Sequence, residues 1–511
     1  MALQFNSLGY AVFLGTVVLL YWSIPRPARR WLLLSTSYLF YATFDWRFCG
    51  LLALTTAVHY DVGRRLGRTR NAEQRKVLLF LAILFSLGVL GWFKYAGWLA
   101  ESFSALFGVD RSLAVLVLPV GISYYTFHTL SYTIDVYRRE QQPTTDLLGF
   151  ALFVAYFPQL LSGPLTRAKR MLPQFADLPR RARSTQRIEG MELILIGLFQ
   201  KVVLADGLLP ITTAAFIDTT RGPAPDRSWL VLTLSAMAGF AQFVFDLTGY
   251  SNIARGSSKL LGIELPHNFR QPLTRSRNLA DYWRRHHITL MAWLRDYVFR
   301  PLRSRLGTSP PAAFATVVLV FVLSGLWHGA SAGWLVWGAV IGLLVATETV
   351  ALRAVDRRRR TRRRSIPTAN DTFPAGDPYS LPLGDQQDPA PLRPLMRART
   401  ILRQVRTSVA LLAVLGLAIV LIRAPSLGAA VAYYREILRF EWVGLDADTI
   451  GLLAFITAAL IVVDVREATL ERHEGTTDPP TVARIIFWVG MVMSILLFSG
   501  TSGQAFVYLG F

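Results

Sequence analysis

The sequence predicts an all-α fold, that of a polytopic helical membrane protein. Of its 511 residues, 52% are hydrophobic and only 17% charged. A soluble protein of this size carries about a quarter charged residues. Mean hydropathy is +0.37. The apolar residues are also gathered in blocks, and a helix needs roughly 20 mostly apolar residues to cross about 30 Å of hydrocarbon. Phe5–Leu20, Val77–Trp92, Leu230–Val244, Phe314–Val322, Trp334–Ala351, Leu411–Ile422 and Ile485–Phe498 all lie within such blocks. With the shorter ones included, about twelve blocks can cross.

The first block, Phe5–Ile24, is read as a retained span. It lacks a basic start, and Pro25-Arg26-Pro27 follows it where a cleavable signal has small residues. Arg26, Arg29 and Arg30 behind it place the N-terminus outside the cytoplasm of a cell-membrane protein. Trp31–Tyr60 is flanked by basic residues at both ends, so it is expected to form a hairpin turning at Phe44-Asp45-Trp46-Arg47. Leu147–Leu165 is also basic on both flanks. Pro158 and the pair Gly163-Pro164 are helix breakers that allow it to turn back within the membrane. A plain span with a misassigned loop is the alternative. Residues 353–399 read as a flexible cytoplasmic insertion, with a basic cluster at Arg357–Arg364 beside lipid head groups and then a stretch rich in Pro, Asp and Gly. Residues 1–352 and 400–511 together make one transmembrane domain.

A net charge of +21 raises the question of nucleic acid. The basic residues lie in loops between apolar blocks, as positive-inside sorting requires, and do not interleave with aromatics on a soluble face. No nucleic-acid partner is expected. Cys49 is the single cysteine, which excludes an intramolecular disulfide and a cysteine metal cluster. No metal site is expected.

Ionisable residues in membrane-embedded segments are functional candidates by default. Two regions qualify. His328 sits in FVLSGLWHGASAGWLVWG between strongly apolar blocks, and Gly325 and Gly329 are expected to leave room for a substrate beside it. A neutral imidazole suits such a place, and that form can take a proton from a hydroxyl; a structural histidine is the alternative that composition leaves open. The second region, RSRNLADYWRRHHITLMAWLRDYVFRPL, holds His286 and His287 and is too charged to span. Tyr282, Trp283, Ile288, Leu290, Trp293, Leu294 and Val298 are partly helix-spaced, as in a helix at the interface or dipping into the protein. Its Arg284, Arg285 and Arg295 suit either lipid phosphates or the entrance of an anionic donor such as coenzyme A. Composition leaves both open.

These residues carry a resemblance. WRRHHITLMAWLRDYVFRPL followed by LSGLWHGAS is similar to the signature of the membrane-bound O-acyltransferases, and most closely to their alginate O-acetyltransferase branch. FNSLGYAVFLGTVVLLYWSIP, LPVGISYYTFHTLSYTIDVYR, YFPQLLSGPLTRAKRMLPQF, LFQKVVLADGL and FVFDLTGYSNIARGSSKLLGIELPHNF resemble that branch in the same order, and FVYLGF resembles its ending. The resemblance implies a ring of helices around a central funnel. It implies His328 as the histidine of acyl transfer, His287 as its companion, and Asp246 and Trp327 as residues supporting them. Two features depart from the branch: His286 stands where tryptophan is usual, and the insertion at 353–399 is long.

The expected activity is therefore transfer of an acetyl or short acyl group from a cytoplasmic thioester, acetyl-CoA or another acyl-CoA, toward hydroxyls of an exported or cell-envelope polysaccharide. No permanently bound cofactor is expected. The resemblance implies an extracytoplasmic relay partner of the SGNH type, besides membrane lipids. D-alanyl transfer to teichoic acid from a carrier protein is the alternative within acyl transfer. A glycan or lipid transporter is the alternative outside it, although the chain has no internal repeat of the kind duplicated transporters carry.

Overall fold

A computed structural model describes residues 2–108, 117–181, 183–217, 229–270, 276–307, 309–364, 394–440 and 482–498, with Gly451 and Phe455. All regular elements among the described residues are helical. Six helices are long and apolar enough to cross a membrane: Ala72–Ser104, Ser184–Pro210, Trp229–Leu260, Pro310–His328, Ala332–Val355 and Arg406–Arg423. Contacts divide the chain into two compact units. One comprises Met1–Gly207, Phe243–His267 and His473–Phe511, and the other Leu208–Gln242 and Asn268–Arg472.

In the first unit, α1 (Leu8–Ser23) is started by Ser7, whose hydroxyl accepts from the Tyr10 N–H. The expected hairpin is α2 (Arg26–Asp45) and α3 (Phe48–Arg68), with Trp46-Arg47 at the turn and Arg47 paired to Asp45 at 2.6 Å. Then come α4 (Ala72–Leu90), α5 (Ala96–Phe107) and α6 (Ile122–Arg138). His59 on α3 joins the last of these to α4: its ring nitrogens meet Thr133 Oγ1 at 2.7 Å and Ser86 Oγ at 2.8 Å. Both of its ring nitrogens are thus engaged between helices.

The stretch Leu147–Leu165 is broken as its Pro and Gly residues suggest. Helix α7 (Leu147–Ala155) stops at Tyr156, whose ψ is 111°, and a single turn, α8 (Phe157–Leu160), follows. Every residue from Leu152 to Leu165 is buried. Non-helical backbone at such depth needs internal hydrogen-bond partners. Ser37 Oγ accepts from the Phe157 N–H at 3.1 Å, and His128 Nε2 accepts from the Thr166 N–H at 3.3 Å. Gln159 donates to the Phe153 carbonyl at 2.7 Å. His128 is thus engaged in holding this backbone. Next are α9 (Ala168–Ala176) and α10 (Ser184–Leu198). The latter carries buried Glu192, which pairs with Arg484 and accepts from Trp488 Nε1 at 3.1 Å.

Helices α11 (Asp206–Ile217) and α12 (Trp229–Leu260) contribute to both units. The second unit continues with α13 (Leu279–Arg285), α14 (Ile288–Leu294), a π-helical turn at Arg295–Phe299, α15 (Arg300–Leu306), α16 (Pro310–His328), α17 (Ala332–Arg364), α18 (Pro394–Arg423) and α19 (Leu427–Leu438). Helix α20 (Val482–Phe498) returns to the first unit and brings Arg484 and Trp488. The borders of the expected insertion are helical, since α17 runs through Arg364 and α18 starts at Pro394. Its middle, 365–393, lies outside the described residues.

Candidate active site around two histidines

His328 is the last residue of α16, and the chain leaves the helix at Gly329 with extended backbone. Ser331 then starts α17, its hydroxyl accepting from the Trp334 N–H at 3.3 Å. This short connection folds α17 back along α16 and brings two tryptophans onto the histidine. Trp334 stacks on the imidazole, with centroids 5.1 Å apart and planes 18° apart, and Trp337 meets it edge-on at 5.9 Å. Trp327 gives a third wall, edge-on at 4.7 Å.

The two glycines have a different role from the one expected. A Cβ at Gly325 would lie 2.2 Å from the Trp334 carbonyl oxygen, and one at Gly329 would lie 2.0 Å from the Trp334 ring. The room beside His328 is filled by Trp334. The glycines allow α17 to approach, and so allow the indole to stack.

His287 stands between α13 and α14. Its φ of 49° and ψ of 48° are left-handed, which is uncommon for a residue with a side chain and is retained only where surrounding contacts over-determine it. Asn268 supplies those contacts. Its carbonyl accepts from the Ile288 N–H at 2.8 Å. Its Oδ1 accepts from the Thr289 N–H at 3.2 Å and the Thr289 hydroxyl at 2.7 Å. His287 Nδ1 reaches the same Oδ1 at 3.3 Å. A backbone N–H can only donate, so the Asn268 atom is the oxygen, and His287 Nδ1 must carry the proton. The basic lone pair of the neutral ring is then on Nε2. Burial pushes the His287 imidazole down to about 3, well below its ordinary value, so it is neutral at physiological pH.

The two histidines come together: their ring centroids are 6.4 Å apart, and Trp327 lies 6.2 Å from His287. His286 does not line a surface entrance. It is buried, stacked on Tyr282 at 4.9 Å and edge-on to Phe269 at 5.1 Å and Trp283 at 5.6 Å. This is an aromatic slot. The continuous helix suggested by the residue spacing is two short ones, broken at these histidines and buried on one side.

The three arginines expected at an anionic entrance are ion-paired within their own segment. Arg284 and Arg285 share Asp281, at 3.1 and 3.5 Å, and Arg295 meets Asp296 at 2.8 Å, with Arg300 on the same carboxylate at 3.1 Å. Two arginines to each carboxylate leave a positive excess on the segment. Asp246 belongs to the other unit, where Lys201 Nζ binds it at 3.0 Å and Asp206 at 2.8 Å, all three side chains being buried. Among the described residues no group of three His, Cys, Asp or Glu is placed to hold a metal ion.

Sequence reasoning missed Asn268, Trp334, Trp337 and Lys201. Lys201 offered a signal, a lone cation between apolar residues in FQKVVLAD. The tryptophans are indistinguishable in sequence from ordinary span residues.

Comparisons with known proteins give the family. The family described as MBOAT, membrane-bound O-acyltransferase family, matches residues 122–371, which include both histidines. A probable alginate O-acetylase of Azotobacter vinelandii is 38% identical over 347 residues, 66% of this chain and 66% of that protein. The corresponding protein of Pseudomonas aeruginosa is 38% identical, over 66% of this chain and 63% of its own length. A peptidoglycan O-acetyltransferase of Helicobacter pylori is 30% identical, over 65% and 67%. The chain belongs to the membrane-bound O-acyltransferase family. It is a multi-pass membrane protein of that family, and it spans just under two thirds of the length of the two alginate O-acetylases. The membrane-bound O-acyltransferase match extends from α6 to beyond α17 and takes in every residue of the histidine box described above.

Proposed function

We propose that the protein is a membrane O-acyltransferase that moves an acetyl or short acyl group from a thioester toward hydroxyls of an exported or envelope polysaccharide. The observation that carries this reading is the pairing of His287 and His328 in a buried aromatic box, in a chain of this family. The names of the relatives, acetylating alginate or peptidoglycan, support a polysaccharide acceptor.

In the proposed step, a hydroxyl oxygen attacks the thioester carbonyl while His328 takes its proton. The carbon–sulfur bond then breaks, and the proton passes to the departing thiolate, giving ester and thiol. General-base assistance of this kind is worth about 10²–10⁴ in rate. His287, its Nε2 set as acceptor by Asn268, orients or shares that proton. The donor enters from the cytoplasmic side, where the positive excess around Arg284, Arg285 and Arg295 suits the phosphates of acyl-CoA. The N-terminus is extracytoplasmic, and an extracytoplasmic relay partner of the SGNH type completes delivery to the glycan.

The test is donor consumption by purified protein supplied with acetyl-CoA, together with mass spectrometry of envelope glycans with and without the protein. Glycan acylation that is unchanged on deletion, with no thioester consumed, would refute the reading.

A further inference from the structure

Glu348 lies within the apolar span Ala332–Val355, in the stretch GLLVATETVAL. A carboxylate there is expensive and calls for a function. Its two oxygens are committed to the start of another helix. The Leu279 N–H donates to Oε1 at 3.1 Å and the Ala280 N–H to Oε2 at 2.8 Å. Asn278 Oδ1 takes the third N–H, of Asp281, at 2.7 Å, and the Asn278 carbonyl accepts the helix's first internal bond, from the Tyr282 N–H at 2.9 Å. The N–H groups of the first three helical residues, which a helix start leaves open, are therefore all satisfied, two of the three by Glu348.

That helix is α13, seven residues long and ending beside His286 and His287. At its far end the Arg270 N–H donates to the Arg285 carbonyl at 2.9 Å, and Asn268 holds Ile288 and Thr289. Those anchors come from the chain just before α13. Glu348 anchors it from α17, the helix whose Trp334 stacks on His328. It therefore joins the two halves of the histidine pair.

We propose that Glu348 is a positioning residue: by holding the start of α13, its carboxylate sets where His287 stands beside His328. This inference rests on the acyl-transfer reading for its catalytic consequence. Glu348→Gln is the sharp variant, because it keeps the volume but presents an N–H to one of the two N–H groups. Glu348→Asp, which keeps the charge and loses reach, should fall between Gln and the wild type.

The full chain is purified in detergent as wild type, Glu348→Gln, Glu348→Asp and His328→Gln, and folded protein is counted by gel filtration. Hydrogen exchange of the segment 277–290 is followed, with kcat and KM for acetyl-CoA. The expected result for Glu348→Gln is faster exchange from Leu279 through Thr289 and a kcat about 100-fold lower per folded molecule, the scale of a small misplacement of reacting groups, with KM little changed. Unchanged exchange overturns the proposal. So does normal kcat per folded molecule, or a raised KM with kcat intact, in a preparation where His328→Gln is inactive. If the wild type itself consumes no thioester, the acyl-transfer reading falls, and exchange alone decides whether Glu348 holds the His287 segment.

Discussion

The imidazole rings of His287 and His328 lie 6.4 Å apart, centroid to centroid, and each is fixed by a different device. His328 ends a long apolar helix and is clamped by Trp334. His287 occupies a left-handed kink held by Asn268. Both rings are fixed before any substrate arrives, and preorganisation of that kind is what a proton-transfer step needs.

His328→Gln should abolish acyl transfer while leaving the protein folded, because glutamine keeps polarity but cannot accept the proton. A loss of at least about 100-fold is expected from the usual worth of a general base. His287→Ala should also impair transfer. Thioester consumption and acceptor acylation are measured on material that elutes normally in detergent gel filtration. Wild-type turnover in His328→Gln would remove the general-base assignment and favour a transporter.

His286 gives a pH prediction. Burial, and then the neighbouring His287, hold its imidazole well below the ordinary value. The folded state then binds fewer protons than the unfolded chain once pH falls below about 6.5, the unfolded value. Stability should therefore rise with pH up to about 6.5 and be lost on acidification, by at most about 1.4 kcal/mol per pH unit for each such group. His286→Phe fits the slot formed by Tyr282, Trp283 and Phe269 and removes one titrating group. Its unfolding midpoint relative to wild type should be higher at pH 5 than at pH 8. A difference that does not change with pH would show that His286 is not titrating with unfolding.

The six long apolar helices among the described residues, the α2–α3 hairpin, the broken Leu147–Leu165 stretch and the burial of the two histidines were legible in the sequence, because apolar blocks, Pro-Gly breakers and rare ionisable groups in apolar surroundings are local signals. What stood across from each residue was not. Gly325 and Gly329 read as open space because Trp334 arrives from the following helix. The kink at His287 has no Gly or Pro to announce it. It is set by Asn268, which in LPHNF reads as an ordinary turn residue. Asp246 gave no hint of Lys201, since the two lie on different elements.

Gly329→Ala tests the role of Trp334. The added methyl would lie 2.0 Å from the Trp334 Cδ1, so the indole must leave its stack on His328. Overpacking of this kind costs about 1–3 kcal/mol, and the loss of turnover should exceed what the lost stability explains. Trp334→Leu in the same background gives the methyl space and should recover thermal stability but not activity. Normal activity in Gly329→Ala would mean the stack is dispensable.

Lys201 stands between Asp206 and Asp246 with its ammonium fully buried. Removing one partner of a buried ion pair costs about 3–5 kcal/mol, because the remaining charge is left uncompensated. Lys201→Met should therefore prevent folding or sharply lower the unfolding midpoint. Asp246→Asn removes one of the two carboxylates that Lys201→Met exposes to each other. If the charges are coupled as the distances indicate, the double variant Lys201→Met/Asp246→Asn will be more stable than Lys201→Met alone, a positive coupling in the double-mutant cycle. The midpoints of all four proteins in detergent measure it. Strict additivity would mean that Asp246 is held by something other than the lysine, and that the triad is not the unit that fixes this part of α12.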